Sequence, residues 1–143
     1  LGSIFTWHHV RPAQEKAFNP TAHLAITPEF LDASITRLKS IGYVPVALEE
    51  LPAFLARPDR PGPAMVFTLD DGYRDNDVHA RPVFEKHGVP YTIFISGGFV
   101  DPTHSIWCQT AEHLIDRVDQ YHYDSGDGET THPARTLLDQ HAA

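Results

Sequence analysis

The 143-residue chain has the length of one domain, and its hydrophobic content of 41% is enough to form a single core. Its formal net charge of −8 argues against nucleic acid and anionic membrane surfaces as partners. No apolar run approaches the roughly 20 residues of a transmembrane helix, and a single cysteine, Cys108, excludes an internal disulfide framework. No signal peptide is visible at the start of the sequence. The cellular compartment is therefore not determined, with the cytoplasm slightly favoured.

Strand-like and helix-like segments alternate along the first 118 residues. A β-rich run predicts an opening strand over residues 3–10, followed by a loop over 11–25. Thr27-Pro28-Glu29 has the N-cap residue, the first-turn proline and the acidic residue that begin a helix, and Gly42 ends it. This alternation predicts an α/β fold with a parallel sheet, open or closed into a barrel. The further predicted elements are a strand at 43–46, a short helix at 49–55, a strand at 64–69, a helix at 76–86 with a break at Pro82, a strand at 89–95 and a helix at 107–118.

The most informative segment, Thr68-Leu69-Asp70-Asp71-Gly72, follows the clearest predicted strand. In parallel α/β folds the carboxyl ends of the strands form the ligand-binding face. Two adjacent carboxylates there repel each other unless a cation or a proton lies between them. One acid can then bind a metal while the other holds or removes a proton of the metal's water. The pair alone also fits a turn in which Asp and Gly merely suit the backbone.

The residues around this acid pair resemble the first motif of the polysaccharide deacetylase family, usually written Thr-Phe-Asp-Asp-Gly. Trp7-His8-His9-Val10 resembles the opening strand of that family, and the similarity continues in the same order over roughly residues 4–118. The segments that carry the resemblance are 7–10, 27–43, 48–51, 67–76 and 82–95.

The resemblance implies a distorted (β/α) barrel, incomplete in this chain, and removal of N-acetyl groups from N-acetylglucosamine-containing oligo- or polysaccharides. By the same analogy Asp70 is the general base, and Asp71 is a ligand of a divalent metal, expected to be zinc. Tyr73 is expected to offer its backbone N–H to the oxyanion. His8 is expected to line the site, with a hydrogen-bonded structural histidine as the alternative. Arg74 fits a site residue and a surface cation at a helix start equally well.

The sequence departs from the family at the second motif, which supplies two histidines four residues apart on one side of a helical turn. No two of the ten histidines have that spacing, although His104 is followed four residues later by Cys108, a conceivable zinc-binding pair. We therefore predict that residues 1–143 are the N-terminal part of a deacetylase domain, with 119–143 as a loop or insertion. With sheet edges uncovered, this part alone is expected to be inactive and either poorly stable or self-associating. The alternative is a truncated, non-catalytic relative that at most binds carbohydrate.

Two other enzyme classes fit the acid pair less well. A haloacid-type phosphatase requires Asp where Leu69 stands. A phospho-receiver domain has its acidic pair after the first strand and a late lysine, whereas no lysine follows Lys86 here. A related subgroup of enzymes that act on other C–N bonds would use the same two acids, and it remains an alternative. His79 and His87 are expected to be solvated helix positions, and Cys108 a small buried apolar residue.

Overall fold

The computed structural model describes residues 2–15, 18–101, 104–124 and 126–134. The described strands are β1 (Gly2–Trp7), β2 (His9–Val10), β3 (Ala25–Ile26), β4 (Val44–Pro45), β5 (Ala64–Asp70), β6 (Tyr91–Phe94), β7 (Gln120–Asp124) and β8 (Glu129–Pro133). The described α-helices are α1 (Pro28–Ser40), α2 (Leu51–Ala56), α3 (Arg81–His87), α4 (Gly97–Val100) and α5 (Trp107–Ile115). Tighter 3-10 turns cover Ala22–Leu24 and Leu48–Glu50, and a π-helical turn, Asn76–Ala80, leads into α3.

Strand β5 is the centre of the main sheet. It pairs in parallel with β1 on one side and with β4 and β6 on the other. Six of its seven residues are buried, as expected for a central strand whose two faces are both covered. The register pairs Trp7 with Leu69 and Asp70 with Phe94, so β1, β5 and β6 end at one level. Side chains that follow these strands therefore meet at one edge of the sheet.

Alternating residues of β5 bury its two faces against different helices. On one face Met65, Phe67 and Leu69 pack in a core with residues of α1 and α3, among them Leu31 and Phe84. On the other face Ala64 and Val66 form a second cluster, covered by side chains of β4 and α2. Helices on both faces of a parallel sheet confirm the predicted α/β class. The strands described here form an open sheet.

The predicted opening strand over residues 3–10 is wrong in its continuity. Strand β1 ends at Trp7, and β2 leaves the main sheet to pair in parallel with β3. The break at His8 directs His9 and Val10 into the core, where both are buried. The predicted loop over 11–25 is wrong at its end for the same reason, because a 3-10 turn and β3 supply the partner of β2.

The segment after residue 119 is not a loop where it is described. Strands β7 and β8 form an antiparallel hairpin, in register from Gln120 with Pro133 to Asp124 with Glu129. Gly126 and Gly128 have φ of +97° and +123° in the connection, a conformation that favours glycine. Residues 135–143 of this predicted loop or insertion lie outside the described residues. No helix in the described ranges is long and apolar enough to cross a bilayer.

Two side-chain predictions are wrong. His87 is not solvated: only 13% of its side chain is exposed, and its Nε2 lies 2.7 Å from Oδ1 of Asp32 on α1. The reason is that α3 packs against α1, so the last turn of α3 faces another helix. Cys108 is half-buried on α5 rather than fully buried. His79 is half-buried on the π-helical turn.

Candidate active site

The acid pair lies where β5 ends in a tight turn. Asp70 is the last residue of the strand, and the next two residues, Asp71 and Gly72, have φ of +69° and +71°. Such positive φ is uncommon for a residue other than glycine and costs energy that the surrounding fold must offset. A Cβ on Gly72 would also lie 3.2 Å from the side chain of Ile95. The turn therefore needs glycine at 72 and holds both carboxyl groups at the carboxyl edge of the sheet.

His8 lies beside Asp70, as its position at the end of β1 requires. Its Nε2 is 3.9 Å from Oδ2 of Asp70, and about a third of each side chain is exposed, 32% and 34%. A carboxylate and an imidazole at this distance, both reachable from solvent, can share or pass on a proton of a bound reactant. The structure thus brings together two of the predicted site residues, and their catalytic roles stay predictions.

His9 points the other way and forms a buried connection to the helix that follows the turn. Only 4% of His9 is exposed, and its Nδ1 lies 2.7 Å from Oδ2 of Asp75. The fully buried Asn76 donates its amide to the carbonyl oxygen of His8 (3.1 Å) and to Oδ1 of Asp75 (3.2 Å). Both oxygens of Asp75 are therefore engaged, and the segments that carry His8 and Asp70 are joined through buried polar groups.

Tyr73 connects this buried network to Asp71. Its ring stacks on the His9 imidazole with ring centres 3.8 Å apart. Burial, followed by the charge of Asp71 and a hydrogen bond to that carboxylate, raises the pKa of the Tyr73 phenol to about 12. The phenol is therefore neutral and a donor at physiological pH. The predicted role of its backbone N–H toward an oxyanion stays a prediction.

Residue-type reasoning did not identify the roles of His9, Asp75 and Asn76, although all three lie within three residues of a predicted site residue. The contact between His9 and Asp75 joins positions 66 residues apart, and Asn76 reaches back as far as His8, which no short spacing reveals. The available signal was a second histidine beside His8 and a further Asp-Asn pair just after the motif.

One member of the conceivable zinc pair, Cys108, lies near Tyr73. Cys108, on α5, is close enough to affect the phenol electrostatically, and the His104 ring lies against Gly98. Within the described ranges, no three His, Cys, Asp or Glu side chains come together as a set of metal ligands. A role for His104 or Cys108 in binding metal stays untested.

A groove of about 560 Å³ is lined in part by Tyr73, the residue in contact with Asp71. It runs between the segment after β2 and the residues after the turn, and its walls include Arg11, Gln14, Tyr73, Arg74 and His79. We refer to it as the arginine groove. Arg74, for which the sequence allowed both a site role and a surface role, is exposed on the wall of this groove.

Two sequence comparisons match this chain to polysaccharide deacetylases. The family model for polysaccharide deacetylase matches residues 57–141, more than half of the chain and including the acid pair. YxkH of Bacillus subtilis (strain 168), whose name describes it as a polysaccharide deacetylase, is 31% identical over 84 residues, which are 58% of this chain and 30% of that protein.

Three solved structures share the fold. The deacetylase PplD of Streptococcus pyogenes, in complex with acetate, has a TM-score of 0.59 at 21% identity, over 79% of this chain and 51% of that one. IcaB from Ammonifex degensii has a TM-score of 0.53 at 27% identity, over 64% and 36%. A de-N-acetylase from Aggregatibacter actinomycetemcomitans has a TM-score of 0.52 at 18% identity, over 96% and 47%. The chain thus spans about a third to a half of the relatives it matches. On the family match, the chain belongs to the polysaccharide deacetylase family.

Proposed function

We propose that the chain is part of a hydrolase that removes acetyl groups from N-acetylglucosamine-containing saccharides. The observation that carries this proposal is the acid pair at the carboxyl edge of β5, with His8 3.9 Å from Asp70. In a sheet of this kind that edge is where substrates bind. Membership of the polysaccharide deacetylase family supports the carbohydrate substrate.

In the proposed mechanism Asp70 is the general base that takes a proton from the attacking water. Its partial exposure leaves room for that water, and His8 is placed to orient Asp70 or to accept a hydrogen bond from the substrate. Tyr73 donates to the Asp71 carboxylate and so fixes its orientation. The buried contacts of Asp75 and Asn76 hold the two segments in register. Preorganised groups of this kind contribute to catalysis because they need not rearrange during the reaction.

We further propose that Asp71 is one ligand of a divalent ion, zinc being the first choice. Such an ion, when bound, supplies a Lewis acid to the acetamide carbonyl. The carboxylate of Asp71 fits this role chemically. Since the described residues do not form a complete ligand set, we place the other ligands outside them.

The larger domain is proposed to be a distorted (β/α) barrel to which these residues contribute part of the strands. The support is that the chain covers only 51%, 36% and 47% of the solved chains it resembles. On this proposal the 143-residue polypeptide is inactive alone, and the complete reading frame of its source gene encodes an active enzyme.

The test measures acetate released from chitotetraose by the 143-residue polypeptide and by the product of the complete reading frame. We expect release only by the complete product, with Asp70→Asn lowering kcat by about 10²- to 10⁴-fold, the usual contribution of a general base. The matched control is Asp77→Asn, which removes an exposed carboxyl paired with Arg81. Full activity of Asp70→Asn would refute the proposed role of Asp70. Saccharide binding without acetate release would establish the non-catalytic alternative.

A further inference from the structure

The arginine groove brings two arginine side chains to a cavity that also includes Tyr73, the residue in contact with Asp71. Arg11 is half-buried. Its backbone N–H donates to the carbonyl oxygen of Ile26 at 3.0 Å, so the backbone that carries the side chain is held in the fold. Arg74 follows directly on Tyr73, which interacts with Asp71. Both arginines line the same cavity, which falls within the usual size range of small-molecule sites.

Neither guanidinium has a partner within the part of the chain that the structure describes. No side-chain hydrogen bond or ion pair of Arg11 or Arg74 is formed there. Arg81, by contrast, is paired with Asp77 at 2.8 Å and with Glu85 at 3.5 Å.

The carboxylate on the groove wall does not neutralise these charges. Asp75 lines the groove, but its two oxygens accept from His9 and Asn76. In a chain with a formal net charge of −8, two guanidinium groups without a described side-chain partner on one cavity wall are a local concentration of positive charge. Guanidinium groups match carboxylate and phosphate oxygens in shape and in charge.

We propose that the arginine groove binds an anionic substituent, a carboxylate or a phosphate, on a saccharide whose N-acetylated unit lies at Asp70. This inference rests on the proposed function in taking a saccharide as the substrate, and it adds that the preferred saccharide is acidic. Arg11 and Arg74 bind the anion, and Tyr73 lies between the groove and the acid pair.

The test compares ligands of equal length that differ in charge. A hyaluronan tetrasaccharide, which alternates glucuronic acid with N-acetylglucosamine, and neutral chitotetraose are titrated into the Asp70→Asn variant of the complete reading frame's product, with binding followed by NMR chemical shifts. We expect the acidic tetrasaccharide to bind at least about tenfold more tightly, because a single charge-assisted contact contributes about that factor. A second comparison, of the affinities for N-acetylglucosamine 6-phosphate and for N-acetylglucosamine, tests whether the anion is a phosphate. Preference for either acidic ligand over its neutral counterpart supports the proposal.

Single substitutions assign the preference to the groove. Arg11→Gln and Arg74→Gln are each expected to reduce it by about tenfold, whereas the matched control Arg81→Gln, outside the groove, leaves it unchanged. Neither substitution removes a side-chain contact from the described fold, so both variants should fold. Equal affinity for acidic and neutral ligands, no binding of either, or a preference that survives both substitutions would overturn the inference. Binding is measured without hydrolysis, so these outcomes leave the proposed deacetylation to its own test.

Discussion

Asp75 is the residue on which most of the buried polar contacts near the site depend. It engages the His9 ring at 2.7 Å and the Asn76 amide at 3.2 Å, and both of those partners are buried. We expect Asp75→Ala to lower the free energy of unfolding by about 2–3 kcal/mol, because it leaves buried donors without an acceptor. Urea unfolding of the 143-residue polypeptide measures the loss.

The control for this prediction is a second aspartate two residues further along the chain. Asp77 forms an exposed i,i+4 ion pair with Arg81, and such pairs contribute about 0.5 kcal/mol or less. Asp77→Ala should therefore change the free energy of unfolding little. If both variants lose the same amount, the buried contacts of Asp75 do not carry the stability assigned to them.

Sequence reasoning identified the acid pair but not the buried residues that hold it in place. Asp70 and Asp71 were predictable because a strand, two acids and a glycine are contiguous, and contiguity fixes their place at the sheet edge. The buried residues were not predictable, since the contact between His9 and Asp75 depends on how β2 leaves the main sheet. Aspartate enters the left-handed region more readily than most residues, but that weak preference does not by itself predict the positive φ of Asp71.

Helices α1 and α3 are joined by charged groups at one place. Asp32 on α1 accepts from Lys86 at 2.6 Å and from His87 at 2.7 Å, both in the last turn of α3. These hydrogen bonds, the one from Lys86 first, lower the pKa of Asp32 below its usual 3.8. A lowered folded-state pKa gives stability that is present above the unfolded-state pKa and is lost as the pH falls through the folded value.

We therefore expect part of the acid sensitivity of this chain to come from Asp32. In urea unfolding, Asp32→Asn should lower the free energy of unfolding at pH 7 and flatten its decline below about pH 4. Glu29→Gln is the matched control, since Glu29 is an exposed carboxyl in the first turn of the same helix and has no described contact with Lys86 or His87. An Asp32→Asn variant whose pH profile parallels that of the original chain would contradict the prediction.

Elements that depend on local signals were predicted well, and elements that depend on distant partners were not. Thr27 caps α1 through its hydroxyl, 3.1 Å from the N–H of Phe30, as the sequence predicted. Gly88 ends α3 with φ of +59°, again a local signal. The short strand β3 was missed because its two residues gain their conformation only by pairing with β2. The hairpin of β7 and β8 was missed because its polar strands are mostly exposed and carry no clear apolar alternation.

For the whole molecule, the open sheet is the feature that matters most. In the described part of the chain, β1 and β6 each pair with β5 along one edge. The other edge of each strand is unpaired there. Large apolar side chains are exposed on or directly after these strands, with Ile4 at 53%, Phe94 at 52% and Ile95 at 61% exposure. An α/β sheet was predictable from the alternation of elements, but whether it closes depends on which further strands cover these edges, and no local pattern in the chain fixes that.

Unpaired strands with exposed apolar side chains predict that the 143-residue polypeptide associates with itself at micromolar to millimolar concentrations. Sedimentation velocity over a concentration series should show species larger than the monomer. Ile4→Lys and Phe94→Lys are each expected to shift the distribution toward monomer, because a charge at an edge must lose its hydration when another strand pairs there. Leu55→Lys is the control, since Leu55 is 41% exposed on α2, away from both edges. A polypeptide that is monomeric throughout, or that responds equally to all three lysines, would show that the sheet edges do not drive association.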